Sequence, residues 1–113
     1  MISQIRPSQL ASWLETARTH GAPAVLDVRE PSELRVASIK ADGFELLTIP
    51  MGVLLARLNE LDPQQPIACL CHHGARSMQV ASFLKAQGFA HVANIAGGIN
   101  AWSIEIDPTV PRY

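Results

Sequence analysis

The chain contains 113 residues, 48% of them hydrophobic, and its nine basic and ten acidic residues give a net charge of −1 at pH 7. This length suits one domain with one core, which we expect over residues 1–113. The hydrophobic content excludes a disordered chain, and the balanced charge predicts binding to neither nucleic acid nor an anionic membrane. An anionic ligand would therefore need a local set of donors and cations.

Targeting signals and the cysteines indicate the compartment in which the protein is expected. The N-terminal residues lack the basic stretch and apolar run of a secretory signal, and no apolar run is long enough to span a bilayer. Cys69 and Cys71 lie two apart in one predicted strand, where their Cα atoms would be roughly 6.5 Å or more apart, a poor disulfide geometry. We therefore predict a cytoplasmic protein with reduced thiols.

Apolar runs and turn residues divide the chain into alternating strands and helices. Continuous or alternating apolar residues predict strands at 2–5, 24–28, 46–49, 67–70 and 91–95. Apolar residues at helical spacing predict helices around 10–17, 31–34, 51–61, 75–87 and 99–102. Pro108 and Pro111 predict that residues 104–113 form an extended C-terminal tail.

This alternation is typical of an α/β three-layer domain, in which a mostly parallel sheet is flanked by helices on both faces. Ligands of such sheets bind beyond the carboxyl ends of the strands. Cys71 follows the strand at 67–70 directly, so the sequence predicts a site at this residue.

The candidate site is the polar turn between that strand and the next helix, which comprises Cys71, His72, His73, Gly74, Ala75, Arg76 and Ser77. Amides at the start of a helix and a neighbouring cation such as Arg76 favour the thiolate form of a cysteine. Gly74 permits a tight turn, and the Ser77 hydroxyl can donate to the sulfur or cap the helix. We expect a six-residue cradle, from Cys71 to Arg76, around an anionic sulfur.

Other chemistry-bearing residues have simpler interpretations. Cys69 lacks such surroundings and is expected to pack in the core. His72 and His73 form half of a metal site, but no second Cys or His cluster stands at a zinc-ligand spacing, so no metal is predicted. Asp27 and Arg29 are expected to form an ion pair that braces the end of a strand.

Several motifs in succession resemble the rhodanese (sulfurtransferase) domain across nearly the whole chain. They are Asp27-Val28-Arg29-Glu30-Pro31, Ile49-Pro50, the turn from Cys71 to Ser77, Gly88-Phe89, and Gly97-Gly98-Ile99-Asn100-Ala101-Trp102. Each motif alone is weak, whereas their order and spacing together are specific to this family.

The resemblance implies a five-stranded sheet with flanking helices and a cysteine that carries a persulfide. By position, Cys71 would take sulfur from thiosulfate or another donor and deliver it to cyanide, a thiol or an acceptor protein. Arg76 would bind the anionic oxygens of the donor, and the loop amides would stabilise the persulfide. No metal or organic cofactor is required, and Asp27 and Arg29 match structural positions.

One departure from the family concerns the residue after the cysteine, where many relatives carry arginine and this chain has His72. A histidine titrates near pH 6.5 when unperturbed. We hypothesise that protonated His72 helps thiosulfate to bind.

Three alternative functions remain open at the level of sequence. A cysteine-based phosphatase or arsenate reductase of the same fold has five residues between Cys and Arg, whereas this chain has four. A non-catalytic interaction module would have lost the cysteine, which is present here. A protein-to-protein sulfur relay with little thiosulfate activity is suggested by the C-terminal part, which looks like rhodanese domains attached to enzymes that activate sulfur-carrier proteins.

Overall fold

A computed structural model describes residues 2–113 and contains a five-stranded sheet. Its strands are β1 (Ser3–Ile5), β2 (Ala24–Asp27), β3 (Glu45–Thr48), β4 (Ile67–Leu70) and β5 (Val92–Ile95), in the spatial order β1-β5-β4-β2-β3. All four strand pairings are parallel. The predicted α/β class and parallel sheet are confirmed, and each strand lies within two residues of its expected bounds.

Within residues 2–113, the connections between the strands and the segment after β5 contain four α-helices and three short 3₁₀ helices. The α-helices are α1 (Leu10–Ala17), α2 (Pro31–Val36), α3 (Ala75–Ala86) and α4 (Gly98–Glu105). The 3₁₀ helices comprise Pro7–Gln9, Met51–Val53 and Leu55–Glu60. Across residues 2–113, none of the helices has both the length and the apolar character needed to cross a membrane.

The sheet has an apolar core on each face because successive side chains of a strand point in opposite directions. Leu26 and Cys69 pack on one face with Val80 and Leu84 of α3. On the other face, residues of β2, β4 and β5 pack with α1 and α4, including Val25, Leu70, Ile95, Leu14 and Trp102. Every residue of β2 and β4 is buried, which explains their continuous apolar sequences.

The predicted helix over residues 51–61 is wrong in type. Met51–Val53 and Leu55–Glu60 are 3₁₀ helices, closed by bonds such as Arg57 N–H to Leu54 O and Leu61 N–H to Leu58 O. A 3₁₀ helix rises about 2.0 Å per residue against about 1.5 Å in an α-helix. The tighter helix therefore covers more of the distance back to the start of β4 while Leu54 and Leu61 stay buried.

The predicted extended tail over residues 104–113 is also wrong. Residues 104 and 105 belong to α4, which is longer than the predicted 99–102 helix. The chain then turns back, because Val110 is buried beside Trp102 and its carbonyl accepts a hydrogen bond from Ser103 Oγ at 2.5 Å. This fold-back places Tyr113 against the loop that follows β4.

Candidate active site

Cys71 directly follows β4 and lies at the carboxyl end of the sheet, where the sequence predicts a site. The residue is 1% exposed and belongs to the same core face as Cys69. Its Sγ accepts a hydrogen bond from the Gly74 amide at 3.1 Å, and Ser77 Oγ lies 3.2 Å away. The sulfur therefore faces two donors at the start of α3, an arrangement that suits negative charge.

The backbone of the loop is fixed by α4. The amides of Ile99 and Asn100, in the first turn of α4, donate to the carbonyls of Cys71 and His72 at 2.9 and 3.1 Å. These bonds turn both carbonyl oxygens toward α4. Gly98 makes the approach possible, because a Cβ on it would lie 2.4 Å from each of the two oxygens.

Ser77 connects the sulfur to a second polar side chain, Asn94, at the sheet. Ser77 Oγ lies 2.5 Å from Asn94 Oδ1 and 3.3 Å from Gly74 O, in addition to its contact with Cys71 Sγ. Asn94 Nδ2 donates to Gly74 O at 3.1 Å and to Gln4 Oε1 at 2.9 Å. The single hydroxyl proton of Ser77 can thus be directed to the sulfur or to Asn94.

Arg76 forms a bidentate pair with Glu33 of α2. The Nη1–Oε1 and Nη2–Oε2 distances are 2.6 and 2.8 Å. Hydrogen bonding to Arg76 is the main cause that lowers the pKa of Glu33 to about 2, and the same bond raises the pKa of Arg76. Both groups are therefore charged at neutral pH, and the guanidinium expected to bind a donor is already paired.

Asp27, the last residue of β2, and Arg29, two residues later, form the ion pair that the sequence predicts. Arg29 Nη2 and Nε donate to the Asp27 carboxylate at 2.8 and 2.9 Å, and both side chains are buried. Arg29 Nη2 also donates to Ala37 O at 2.9 Å. The pair holds the end of β2 against the segment that follows α2.

Tyr113 closes over this region from the C-terminal segment. Its ring stacks on His72 with a centroid distance of 3.8 Å, and His72 Nε2 donates to Tyr113 O at 2.6 Å. The phenol donates to Glu33 Oε2 at 2.7 Å and accepts from Arg29 Nη1 at 2.9 Å. Tyr113 is thus anchored at the site by three hydrogen bonds. We call Glu33, His72, Arg76 and Tyr113 the outer rim of the loop.

His72 and His73 stack on each other, with ring centroids 3.9 Å apart. Burial is the main cause that lowers the pKa of His72 below its ordinary value of 6.5. His72 is therefore neutral at pH 7. Among the described residues 2–113, no group of three or more His, Cys, Asp or Glu side chains could hold a metal ion.

Three residues of the site were missed at the level of sequence. Glu33 and Tyr113 reach the loop only through tertiary folding. Asn94 had a usable signal, since it is a polar residue in an otherwise apolar strand and is only 2% exposed. A buried polar group of this kind needs hydrogen-bond partners, which here are Ser77, Gly74 and Gln4.

Fold and site together define a class of protein: a parallel α/β domain with a cysteine-centred loop at the carboxyl end of its sheet. The family model described as "Rhodanese-like domain" matches residues 7–105. The chain belongs to the rhodanese-like family of sulfurtransferases and sulfur carriers, as the sequence motifs suggest.

Individual relatives agree with this assignment. The chain is 36% identical over 114 residues to the "Rhodanese-like/PpiC domain-containing protein 12, chloroplastic" of Arabidopsis thaliana, with 99% of this chain and 38% of the relative covered. It is 33% identical over 79 residues to a "Sulfurtransferase" of Allochromatium vinosum, with 70% of each covered. A rhodanese-related protein from Thermoplasma volcanium superimposes with a TM-score of 0.77 at 31% identity, covering 98% of this chain and 99% of that one.

Proposed function

We propose that Cys71 is the nucleophile of a sulfurtransferase and carries the transferred sulfur as a persulfide. The thiolate attacks the outer sulfur of thiosulfate or another sulfane donor, so that a bond forms between Cys71 Sγ and that sulfur. The bond between the two donor sulfurs breaks, and its electron pair leaves with sulfite or with the donor thiolate. A second nucleophile, such as cyanide, a thiol or a thiol on an acceptor protein, then removes the sulfur and regenerates the thiolate.

The observation that carries this proposal is the pair of donors on Cys71 Sγ, the Gly74 amide at 3.1 Å and Ser77 Oγ at 3.2 Å. Donors that are already in place stabilise an anion without reorganisation during the reaction. They can serve the thiolate and the persulfide alike. The sulfurtransferase name of the Allochromatium vinosum relative agrees with this chemistry.

The number of residues in the loop favours sulfur over phosphate. Four residues separate Cys71 from Arg76, whereas the phosphatases of this fold use five to surround a tetrahedral group. The guanidinium that a phosphatase needs for its substrate is here paired with Glu33. Both features count against the phosphatase or arsenate reductase, and the intact cysteine counts against a non-catalytic interaction module.

A turnover experiment tests the proposal. The protein is incubated with thiosulfate, and in parallel with a thiol persulfide, and its intact mass is measured for the gain of one sulfur atom. Cyanide is then added and thiocyanate is assayed. We expect sulfur uptake and thiocyanate from the wild type and neither from Cys71→Ser. Uptake by Cys71→Ser at the wild-type level, or hydrolysis of an aryl phosphate without sulfur uptake, would overturn the assignment.

Uptake without release to cyanide would favour the sulfur relay over the cyanide-using enzyme. In that case the loaded protein is mixed with a small thiol, and the loss of the added mass is followed. The protein relay predicts that sulfur leaves to thiols but not to cyanide.

A further inference from the structure

The outer rim carries a cation and an anion that neutralise each other. Both terminal nitrogens of Arg76 are bonded to the Glu33 carboxylate, at 2.6 and 2.8 Å. The carboxylate is held in this position, because Glu33 Oε1 also accepts the Glu30 amide at 3.1 Å and Oε2 accepts the Tyr113 phenol at 2.7 Å. The guanidinium therefore cannot turn to a substrate without breaking a supported pair.

The neighbouring groups do not replace the missing positive charge. Arg29 is fully buried, and its nitrogens are bonded to Asp27, Ala37 O and the Tyr113 phenol. His72 is neutral at pH 7 and uses Nε2 to donate to Tyr113 O. Arg112, the residue before Tyr113, is exposed to solvent, so water and salt screen its charge.

A dianion that approaches Cys71 consequently meets a neutral ion pair on the rim and a thiolate behind it. Two unit charges about 4 Å apart interact by about 1 kcal/mol even in bulk water, and by more near a protein surface. The interaction energy of a dianion with a given charge is about twice that of a monoanion at the same distance. The pairing of Glu33 with Arg76 therefore influences whether a donor with one or with two negative charges is preferred.

We propose, building on the sulfurtransferase function above, that Glu33 determines donor specificity: it disfavours thiosulfate and favours sulfane sulfur bound to a thiol. The favoured step conserves charge and oxidation state. The Cys71 thiolate attacks the outer sulfur of R–S–SH, the new Cys71 Sγ–S bond forms, and the old S–S bond breaks. The electron pair leaves with the donor thiolate R–S⁻, and the proton of the outer sulfur stays on the new persulfide or goes to solvent.

The test compares two donors in single-turnover loading of Cys71, followed by mass. One donor is thiosulfate, and the other is the persulfide of 2-mercaptoethanol, which has no charge apart from that of the persulfide group. In Glu33→Gln the charge of Arg76 becomes available, and we expect the ratio of thiosulfate to persulfide loading rates to rise about tenfold. Thiosulfate loading of this variant should also slow as salt is added, because salt screens the new attraction.

Two further variants separate an electrostatic from a merely structural role. Glu60→Gln makes the same change in net charge and frees Arg57 from an exposed bidentate pair, with bonds of 2.8 and 2.9 Å, in the connection back to the start of β4. Its donor ratio should equal that of the wild type. In Glu33→Gln/Arg76→Gln the freed cation is removed as well, and the ratio should return toward the wild-type value.

An unchanged ratio in Glu33→Gln, or an equal rise in Glu60→Gln, would overturn the proposal. The wild type provides a test that does not depend on how the variant folds, since its thiosulfate loading should not be slowed by salt. A several-fold slowing would contradict the neutral rim. These results are distinct from a failure of the proposed function, in which wild-type Cys71 would take up sulfur from neither donor.

Discussion

Cys69 and Cys71 are two residues apart, point to the same face of the sheet and are both buried, yet their surroundings differ. Cys69 lies inside β4 and is 0% exposed. Its burial is the main cause that raises its pKa to about 12. Cys71 lies just beyond the last residue of the strand and faces the Gly74 amide and the Ser77 hydroxyl.

The comparison shows that burial alone does not decide whether a cysteine can react. Inside the strand, backbone amides are used by the sheet and cannot reach the sulfur. One residue past the strand, the chain turns into a helix, and amides without a partner in the helix become available to the sulfur. A displacement of two residues along the chain separates a thiol enclosed by the apolar core from a sulfur in contact with the Gly74 amide and the Ser77 hydroxyl.

The largest effect should come from disturbing the loop without touching the sulfur. Gly98→Ala places a Cβ against the carbonyl oxygens of Cys71 and His72, which must move. A displacement of about 1 Å in an active site can cost about 100-fold in rate, and we expect a loss of that size in sulfur loading. Single-turnover loading followed by mass measures it.

Gly88→Ala is the matched control, because Gly88 also has a positive φ, of 94°, but a Cβ there meets nothing within 4 Å. Both variants should lose about 1 kcal/mol of stability from the left-handed backbone. Equal loading rates in the two variants would show that the α4 contact does not hold the loop.

A smaller effect should come from the side-chain donor. Ser77→Ala removes the hydroxyl 3.2 Å from Cys71 Sγ. A hydrogen bond to a charged group contributes about 1.5 to 3 kcal/mol, so we expect sulfur loading to slow at least about tenfold. Thr19→Ala removes a hydroxyl that donates to Thr16 O just after α1, and its loading rate should stay close to that of the wild type. If both variants load at the same rate, Ser77 does not serve the sulfur.

The smallest expected effect is a change in the pH dependence of the free energy of unfolding in acid, caused by the pair of Glu33 and Arg76. The pKa of Glu33 is lowered to about 2 by Arg76, from 4.5. A lowered carboxylate pKa contributes stability that is present above pH 4.5 and is lost as the pH falls toward 2. In urea unfolding, the free energy of unfolding of Glu33→Gln should fall by about 1 kcal/mol less than that of the wild type over this pH range. The curve of Glu60→Gln should follow the wild type, since its exposed pair is screened by solvent; a Glu33→Gln curve parallel to the wild type would contradict the pair.

The parts of the fold that depend on local sequence could be predicted. Ala24 to Leu26 and Ile67 to Leu70 form apolar runs that are typical of a strand covered on both faces. The turn from Cys71 to Ser77 has its glycine and its helix start in sequence. The site residues that depend on distant contacts could not be predicted. Glu33 and Arg76 are 43 residues apart, and Tyr113 lies 41 residues from His72.

Two elements differ from expectation, the 3₁₀ helices between β3 and β4 and the C-terminal segment. The spacing of Leu54, Leu58 and Leu61 is compatible with an α-helix and with a 3₁₀ helix, so the sequence pattern does not decide between the two. The prolines of the C-terminal segment indicate irregular backbone but not its direction. Burial of Val110 sets that direction and brings Tyr113 to the outer rim.

The most direct test of whether Cys71 carries the transferred sulfur is to locate that sulfur in the loaded protein. The wild type is loaded with a sulfane donor, the persulfide is trapped by alkylation, and the peptide containing both cysteines is fragmented in a mass spectrometer. We predict that the added sulfur is on Cys71, and that Cys69→Ser is loaded as fully as the wild type. Sulfur on Cys69, or full loading of Cys71→Ser, would contradict it.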